Sequence, residues 1–180
     1  RNYMKSAVAS AAGANFFEVQ GKSTFLSGLA VSGSFSATTK QFQITHPLNE
    51  KKWLYHTSVE SPRADLIYRG ILQLQGGVGS ASIDSASNMT NGTFNALTKN
   101  PQLFLQNNES FDRIKGYVQS GSVYVLSENQ NSTASIDWSV IAERQDTEIL
   151  KSPLYDRNGK YKTEKWKREF RNSLMITGSI

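Results

Sequence analysis

The chain of 180 residues contains no cysteine and only two histidines, which narrows the chemistry open to it. Without cysteine it has no disulfide bond, no cysteine-ligated zinc site and no thiol nucleophile. No run approaches the roughly 18 apolar residues of a membrane-spanning helix, and only 19% of the residues are charged. A polar chain without disulfides must gain stability elsewhere, and burial between subunits is one source.

The formal charge of +5 belongs to one end of the chain. Residues 151–171 hold eight basic and three acidic side chains; subtracting these from the 20 basic and 15 acidic residues leaves twelve of each sign in the rest. No pattern of a nucleic-acid recognition module is present, so we expect no nucleic-acid partner. A solvated helix face, or an arm docking on an acidic neighbour, explains the basic end.

Residues 1–40 are rich in Ala, Ser and Gly, and single or paired larger apolar residues recur every two to four positions. Gly28 and Gly33 interrupt helical patterns, and the small apolar residues around them bury little within one chain. This composition and spacing predict an intertwined β stalk, in which each chain completes its hydrophobic core by packing against identical chains. Because the sequence opens on Arg1 without the apolar core of a signal peptide, we expect a piece of a longer or processed protein.

Residues 41–148 alternate apolar and polar side chains, which is the period of a β-strand. Phe42, Ile44 and His46 share one face, as do Leu54, His56 and Ser58, and the pattern continues through 71–75, 80–84, 103–106, 114–119, 123–127 and 134–143. A hairpin is expected around Gly121, and a short helix or turn within 88–99. The predicted fold is all-β: an antiparallel β-sandwich head on a homotrimeric stalk.

Residues 149–180 change character again and form a basic C-terminal arm. Thr163 is placed to cap a helix from Glu164 to about residue 174, with Trp166 and Phe170 on one side. We expect this short amphipathic helix to pack on a neighbouring element or subunit.

Catalytic and metal-binding interpretations depend on few residues. His46, His56 and Glu60 offer imidazole and carboxylate groups, but on one strand His56 and Glu60 would stand about 13 Å apart. A metal on a threefold axis, ligated by one histidine from each chain, stays an alternative. Separated acids that could flank a glycan in a hydrolase are Glu60, Asp84, Glu128 and Asp137. We expect no enzyme activity, no cofactor and no metal.

Three ordered blocks stand out between residues 41 and 160. They read THPLNEKKWLYHTSVESPRADLIYRGILQLQGG, then SASNMTNGTFNALTKN with the strand after it, then IDWSVIAERQD. Together they resemble the HP…L-x-H…E-x-P…Y-x-G, M-T-x-G-T-(W/F)-x-A-L and W-x-V-I-G-E-R-x-D blocks in C-terminal domains of bacteriophage tail fibres and related virion proteins. The chain departs from them at 63–67 and at Ala142, which leaves the loop shape near Pro62 open.

The resemblance implies a trimeric module near the end of a fibre, and no catalytic residue carries over from it. The residues that it nominates for the framework and interfaces are Phe42, His46, Pro47, His56, Glu60, Pro62, Tyr68, Gly70, Trp138, Glu143 and Arg144. For Glu143 and Arg144, an ion pair that fixes subunit register is expected.

A tail-fibre structural protein in the virion, active in assembly and host attachment, is the function we expect. Its partners would be identical copies, other tail proteins, and a bacterial surface glycan or outer-membrane receptor. Two loops would meet the host, and their candidate binding residues are Asn107, Asn108, Glu109, Asn129 and Asn131. A polysaccharide-degrading tailspike domain and a non-adhesive virion connector remain the alternatives.

Overall fold

The computed structural model describes residues 30, 35, 37–156 and 160–164, and this part of the chain is mostly β. Its elements are β1 Gln41–His46, β2 Asn49–Thr57, β3 Asp65–Gln73, β4 Val78–Ser82, α1 Ile83–Ala86, α2 Thr93–Leu97, β5 Thr98–Asn107, β6 Ile114–Gln119, β7 Ser122–Ser127, β8 Ser135–Arg144 and α3 Thr147–Lys151. All pairings between these strands are antiparallel. The prediction of an antiparallel β-rich chain with few short helices is thereby confirmed.

The chain divides into two compact units, and the division falls between Glu60 and Ser61. In the first unit, β1 and β2 form a hairpin in which Phe42 stands opposite His56 and Ile44 opposite Leu54. The backbone N–H of Leu48 donates to Nδ1 of His46 at 3.1 Å, which tightens the turn around Pro47. The domain boundaries expected at residues 40 and 148 stay a prediction.

The second unit, Ser61–Glu164, contains two three-stranded sheets. The strand order is β3-β8-β5 in one sheet and β4-β7-β6 in the other. Alternate residues of both sheets point into one shared hydrophobic cluster, as the strand period requires. Its fully or nearly fully buried members include Leu74, Ile83, Phe94, Val123, Val125, Ile136, Trp138 and Val140. Burying each such side chain contributes about 1.5–3 kcal/mol, so this cluster is the main source of stability in the unit.

The β6–β7 hairpin closes on a two-residue turn, Ser120–Gly121. Both residues have positive φ, 49° and 76°, the mirror-image turn whose twist matches that of paired strands. Glycine adopts this geometry without steric cost, which explains the hairpin signal in the sequence.

Most predicted strands overlap a strand of the structure, but several differ in their bounds. β2 begins at Asn49 and β5 at Thr98, ahead of the stretches expected from Leu54 and Leu103. β3 begins at Asp65, whereas the sequence pattern indicated a strand only from residue 71. The earlier part was not predicted because Gly70 interrupts the alternation of large apolar and polar side chains. The strand expected over 80–84 ends at Ser82, whose hydroxyl caps α1 by accepting from the N–H of Ser85 at 3.2 Å. The short helix expected within 88–99 is α2. The stalk over 1–40, apart from six described positions, and the helix after Thr163 lie outside the described residues.

Candidate binding surface

Two connections lie at the same end of the second unit: residues 108–113 between β5 and β6, and 128–134 between β7 and β8. They meet because Asn107 at the end of β5 pairs with Ile136 near the start of β8, and Ile114 at the start of β6 pairs with Ser127. We call residues 107–113 and 128–134 the loop surface. It holds all five binding residues nominated from the sequence.

Asn107 shapes the first loop. Its side-chain oxygen accepts from the N–H groups of Glu109 and Ser110, each at 3.1 Å, and its amide donates to the Ser110 hydroxyl at 2.9 Å. Such turns built on an asparagine side chain are common where a strand ends. The role of Asn107 is therefore to hold the loop, while Asn108 and Glu109 stay exposed beside it.

Side-chain and backbone hydrogen bonds join the two loops. Asn129 donates its side-chain amide to Asp112 at 3.1 Å, and the N–H of Arg113 donates to the Glu128 carboxylate at 3.0 Å. The Arg113–Glu128 ion pair is long, 3.9 Å between Nε and Oε2, and solvent-exposed, so it adds little. The loops thus form one connected surface rather than two independent ones.

Two further bonds attach the first loop to β8. A carboxylate oxygen of Glu109 accepts from the N–H of Ser135 at 3.0 Å, and Asn108 donates to Asp137 at 2.8 Å. With these acids occupied in structural bonds, the exposed groups that remain for a ligand include the ring of Phe111, the Arg113 guanidinium and the side chain of Asn131. Asn131 contributes only its backbone N–H to the local network, bonded to Asn129 at 3.0 Å. This arrangement suits binding through an aromatic ring, a guanidinium group and an amide.

Tyr68, Gly70 and Trp138 come together in the core of the second unit. Gly70 stands directly opposite Trp138 in the β3–β8 pair. A Cβ atom at position 70 would lie 2.5 Å from Cζ2 of the Trp138 indole, so only glycine admits the buried ring. Tyr68 packs edge-on against Phe94 with ring centroids 5.1 Å apart. These three residues therefore pack together in the core, and their nominated role at an interface stays a prediction.

Asp84 anchors the segment before α2 and was nominated only as a separated acid. The carboxylate is buried and accepts from the N–H of Gly92 at 2.8 Å and of Phe94 at 2.7 Å. It thereby caps α2 from eight and ten residues upstream, since Gly92 at the N-cap has no side chain to do so. The signal for this role is an aspartate that follows a strand closely and precedes a glycine-initiated helix.

Glu143 and Arg144, expected as one ion pair, are each paired elsewhere within the chain. Neighbouring residues of a strand point to opposite faces, and Glu143 lies 3.8 Å from Lys99. Arg144 lies 2.7 Å from Asp146, and this hydrogen bond holds the pKa of Asp146 below its usual value. Asp146 also caps α3 by accepting from the N–H of Ile149 at 3.2 Å. Both nominated residues therefore form ion pairs at the end of β8.

The remaining nominated residues lie in the β1–β2 hairpin or follow it closely in sequence, and they are exposed or partly exposed. Phe42 stacks on His56 with ring centroids 4.9 Å apart, and Glu60 lies 3.3 Å from Lys40. Pro62 is exposed between Ser61 and Arg63 at the start of the second unit. Among the described residues no three His, Asp or Glu side chains form a group that could hold a metal ion.

Burial perturbs two tyrosines of the second unit. It raises the pKa of Tyr68, and the Asp84 carboxylate raises it further while Arg144 opposes both effects. Burial is also the main cause of the raised pKa of Tyr155, which packs against Tyr161. Both phenols therefore stay neutral over the physiological range and serve as packing groups.

Comparisons with family models, curated proteins and solved structures give no match for this chain. Within the described part of the chain, no helix is long and apolar enough to span a membrane.

Proposed function

We propose that this chain is a structural subunit of a bacteriophage tail fibre that assembles as a homotrimer and contributes to host attachment. In this role the second unit would be a β-sandwich, with its two sheets on either side of the shared hydrophobic cluster. Two observations support the role: the three sequence blocks, and strand faces whose large apolar side chains remain exposed.

The β1–β2 hairpin shows such exposed apolar faces most clearly. Phe42, Ile44, Trp53 and Tyr55 are between 47% and 59% exposed. In the hairpin register, Phe42 and Ile44 occupy one face and Trp53 and Tyr55 the other. An isolated two-stranded hairpin is marginally stable in water. Covering both faces with neighbouring chains supplies the missing burial.

The second unit adds another exposed face. Ile67 and Ile71 on β3 and Phe104 on β5 point away from the core and are 53–68% exposed. They lie on one side of the β3-β8-β5 sheet, with Arg69 between the two isoleucines and Asp137 opposite Ile71. Exposed apolar side chains mixed with polar ones in this way are typical of a protein interface. The loop surface adjoins one end of this face, where Asn108 donates to Asp137, the partner of Ile71 in the β3–β8 pair. Phe111 and Asn131 of the loop surface remain exposed for attachment.

Light scattering of the whole chain tests the assembly. A concentration-independent mass of three chains of 20.0 kDa is expected. The double variant Ile67→Thr/Ile71→Thr keeps β-branched side chains but removes apolar area, so it should shift the mass towards the monomer on dilution. Val59→Thr is the matched control, because Val59 is exposed outside any strand. A stable wild-type monomer would end the proposal of a trimer.

Location in the virion needs its own experiment. Gold-labelled antibody raised against the chain should decorate the tail of virus particles produced by the source of the sequence. Particles free of the chain by mass spectrometry would contradict the tail-fibre role.

A further inference from the structure

A cavity of about 470 Å³ opens beside β4 on the second unit. It is lined by Gln73, Gln75, Val78, Gly79, Ser80 and Tyr124. Its volume lies within the roughly 300–1,000 Å³ of small-molecule sites. None of the lining residues belongs to the loop surface, but Gln73 bonds to Thr133 within it, so the cavity adjoins that surface.

Tyr124 gives the cavity an aromatic wall. The residue lies on the outer face of the β4-β7-β6 sheet, opposite the core side to which Val123 and Val125 point. Ser80, Tyr124 and Tyr117 occupy one row across the three strands. The rings of Tyr124 and Tyr117 stack with centroids 5.2 Å apart and planes 16° from parallel. Tyr117 thereby restricts the motion of the Tyr124 ring and prepares it for a ligand.

The polar groups of the cavity are amides and a hydroxyl. Gln73 donates its side-chain amide to the carbonyl of Thr133, which fixes its direction. No hydrogen bond joins the side chain of Gln75 or Ser80 to another described residue, so both can serve a ligand. None of the described residues that line the cavity is charged. A charged ligand would gain no ionic partner there.

From this combination we infer that the cavity binds a neutral glycan. A sugar ring has an apolar C–H face that can lie on the Tyr124 ring, and hydroxyls at its edge. An amide both donates and accepts, so Gln75 can bridge neighbouring hydroxyls, and Ser80 can bond a third. The ligand class is an uncharged hexose or N-acetylhexosamine chain.

The inference deepens the proposed attachment role and rests on it for its biological meaning. Binding can nevertheless be measured whatever the oligomeric state, because every lining residue comes from one chain. Light scattering on the same sample therefore separates failure of the trimer from failure of glycan binding.

Isothermal titration of the full chain with cellotetraose, maltotetraose and N-acetylated chitotetraose tests the site. We expect saturable binding of at least one of them, weakened about tenfold by Tyr124→Ala through loss of the aromatic contact. Gln75→Ala lies in an exposed link, where folding is safe, and should also weaken binding. Gln102→Ala, an exposed glutamine on β5, is the matched control and should leave binding unchanged.

Three results would overturn the inference. They are no binding of any neutral tetrasaccharide by the wild type, affinity unaffected by both Tyr124→Ala and Gln75→Ala, or binding of an acidic glycan such as polysialic acid in place of the neutral ones.

Discussion

Replacing Gly70 by alanine is expected to destabilise the second unit through a single steric contact. The new Cβ would lie 2.5 Å from Cζ2 and 2.8 Å from Cε2 of Trp138, whereas carbon atoms in ordinary contact are about 3.5–4.0 Å apart. Trp138 is only 2% exposed and cannot swing into solvent. Overpacking of this kind costs about 1–3 kcal/mol.

A second effect opposes the first. Gly70 lies within the extended strand β3, where alanine is preferred over glycine by roughly 0.5–1 kcal/mol. We therefore expect Gly70→Ala to lower the free energy of unfolding by about 1–2 kcal/mol. In a Trp138→Phe background the smaller ring relieves the overlap, and the cost should shrink or change sign.

Urea unfolding followed by far-ultraviolet circular dichroism, at one fixed chain concentration, measures the four members of this cycle. Gly92→Ala is the matched control. Its Cβ would meet nothing within 4 Å, but its φ of 92° makes alanine strained by about 1–2 kcal/mol whether or not Trp138 is present. An unchanged stability of Gly70→Ala, or an equal cost in both backgrounds, would refute the steric argument.

Three further predictions concern buried or paired polar groups. Asp84→Ala leaves the N–H groups of Gly92 and Phe94 without their acceptor, so it should lower the free energy of unfolding in urea by about 2–4 kcal/mol. The control Glu148→Ala, at an exposed position, should change it by close to zero. Equal losses in the two variants would contradict the capping role. Asp146→Asn keeps the helix cap but removes the charge beside Arg144. Because the folded pKa of Asp146 is lowered, the stability of the pair is present above about pH 4 and lost as pH falls through the folded pKa, so the variant should lose less stability between pH 5 and 2 than the wild type; parallel acid curves would argue against it. The raised pKa of Tyr68 has the opposite sign: stability is complete below about pH 10 and lost as pH rises through the folded pKa. Tyr68→Phe should therefore resist alkaline unfolding better than the wild type, while exposed Tyr117→Phe should not.

Local sequence patterns predicted the strands well because alternation and turn chemistry are short-range properties. Val123 and Val125 point inwards between outward Ser122, Tyr124 and Leu126, and the Ser120–Gly121 turn gives the register of β6 and β7. The first half of β3 was missed because Gly70 reads locally as a break, and its partner Trp138 lies 68 residues further along the chain.

The candidate sites also divide into those that local sequence predicts and those that depend on contacts between distant residues. The loop surface was predictable, since polar, Asn-rich segments between strands lie at strand ends and carry exposed side chains. The expected pairing of Glu143 with Arg144 overlooked that strand neighbours face opposite ways, so that Lys99 and Asp146 became their partners. The neutral cavity was invisible in sequence because Gln73, Gln75, Ser80 and Tyr124 form no motif.

The sequence by itself determined that the chain is β-rich, where most strands lie, which side chains alternate within them and where the β6–β7 hairpin turns, because these depend on neighbours a few residues away. Only the tertiary structure decided that Gly70 accommodates Trp138, that Asp84 caps a helix ten residues downstream, and that Tyr124 walls an uncharged cavity. Each of these contacts depends on how the folded backbone brings the residues together, which the pattern of neighbouring residues does not specify.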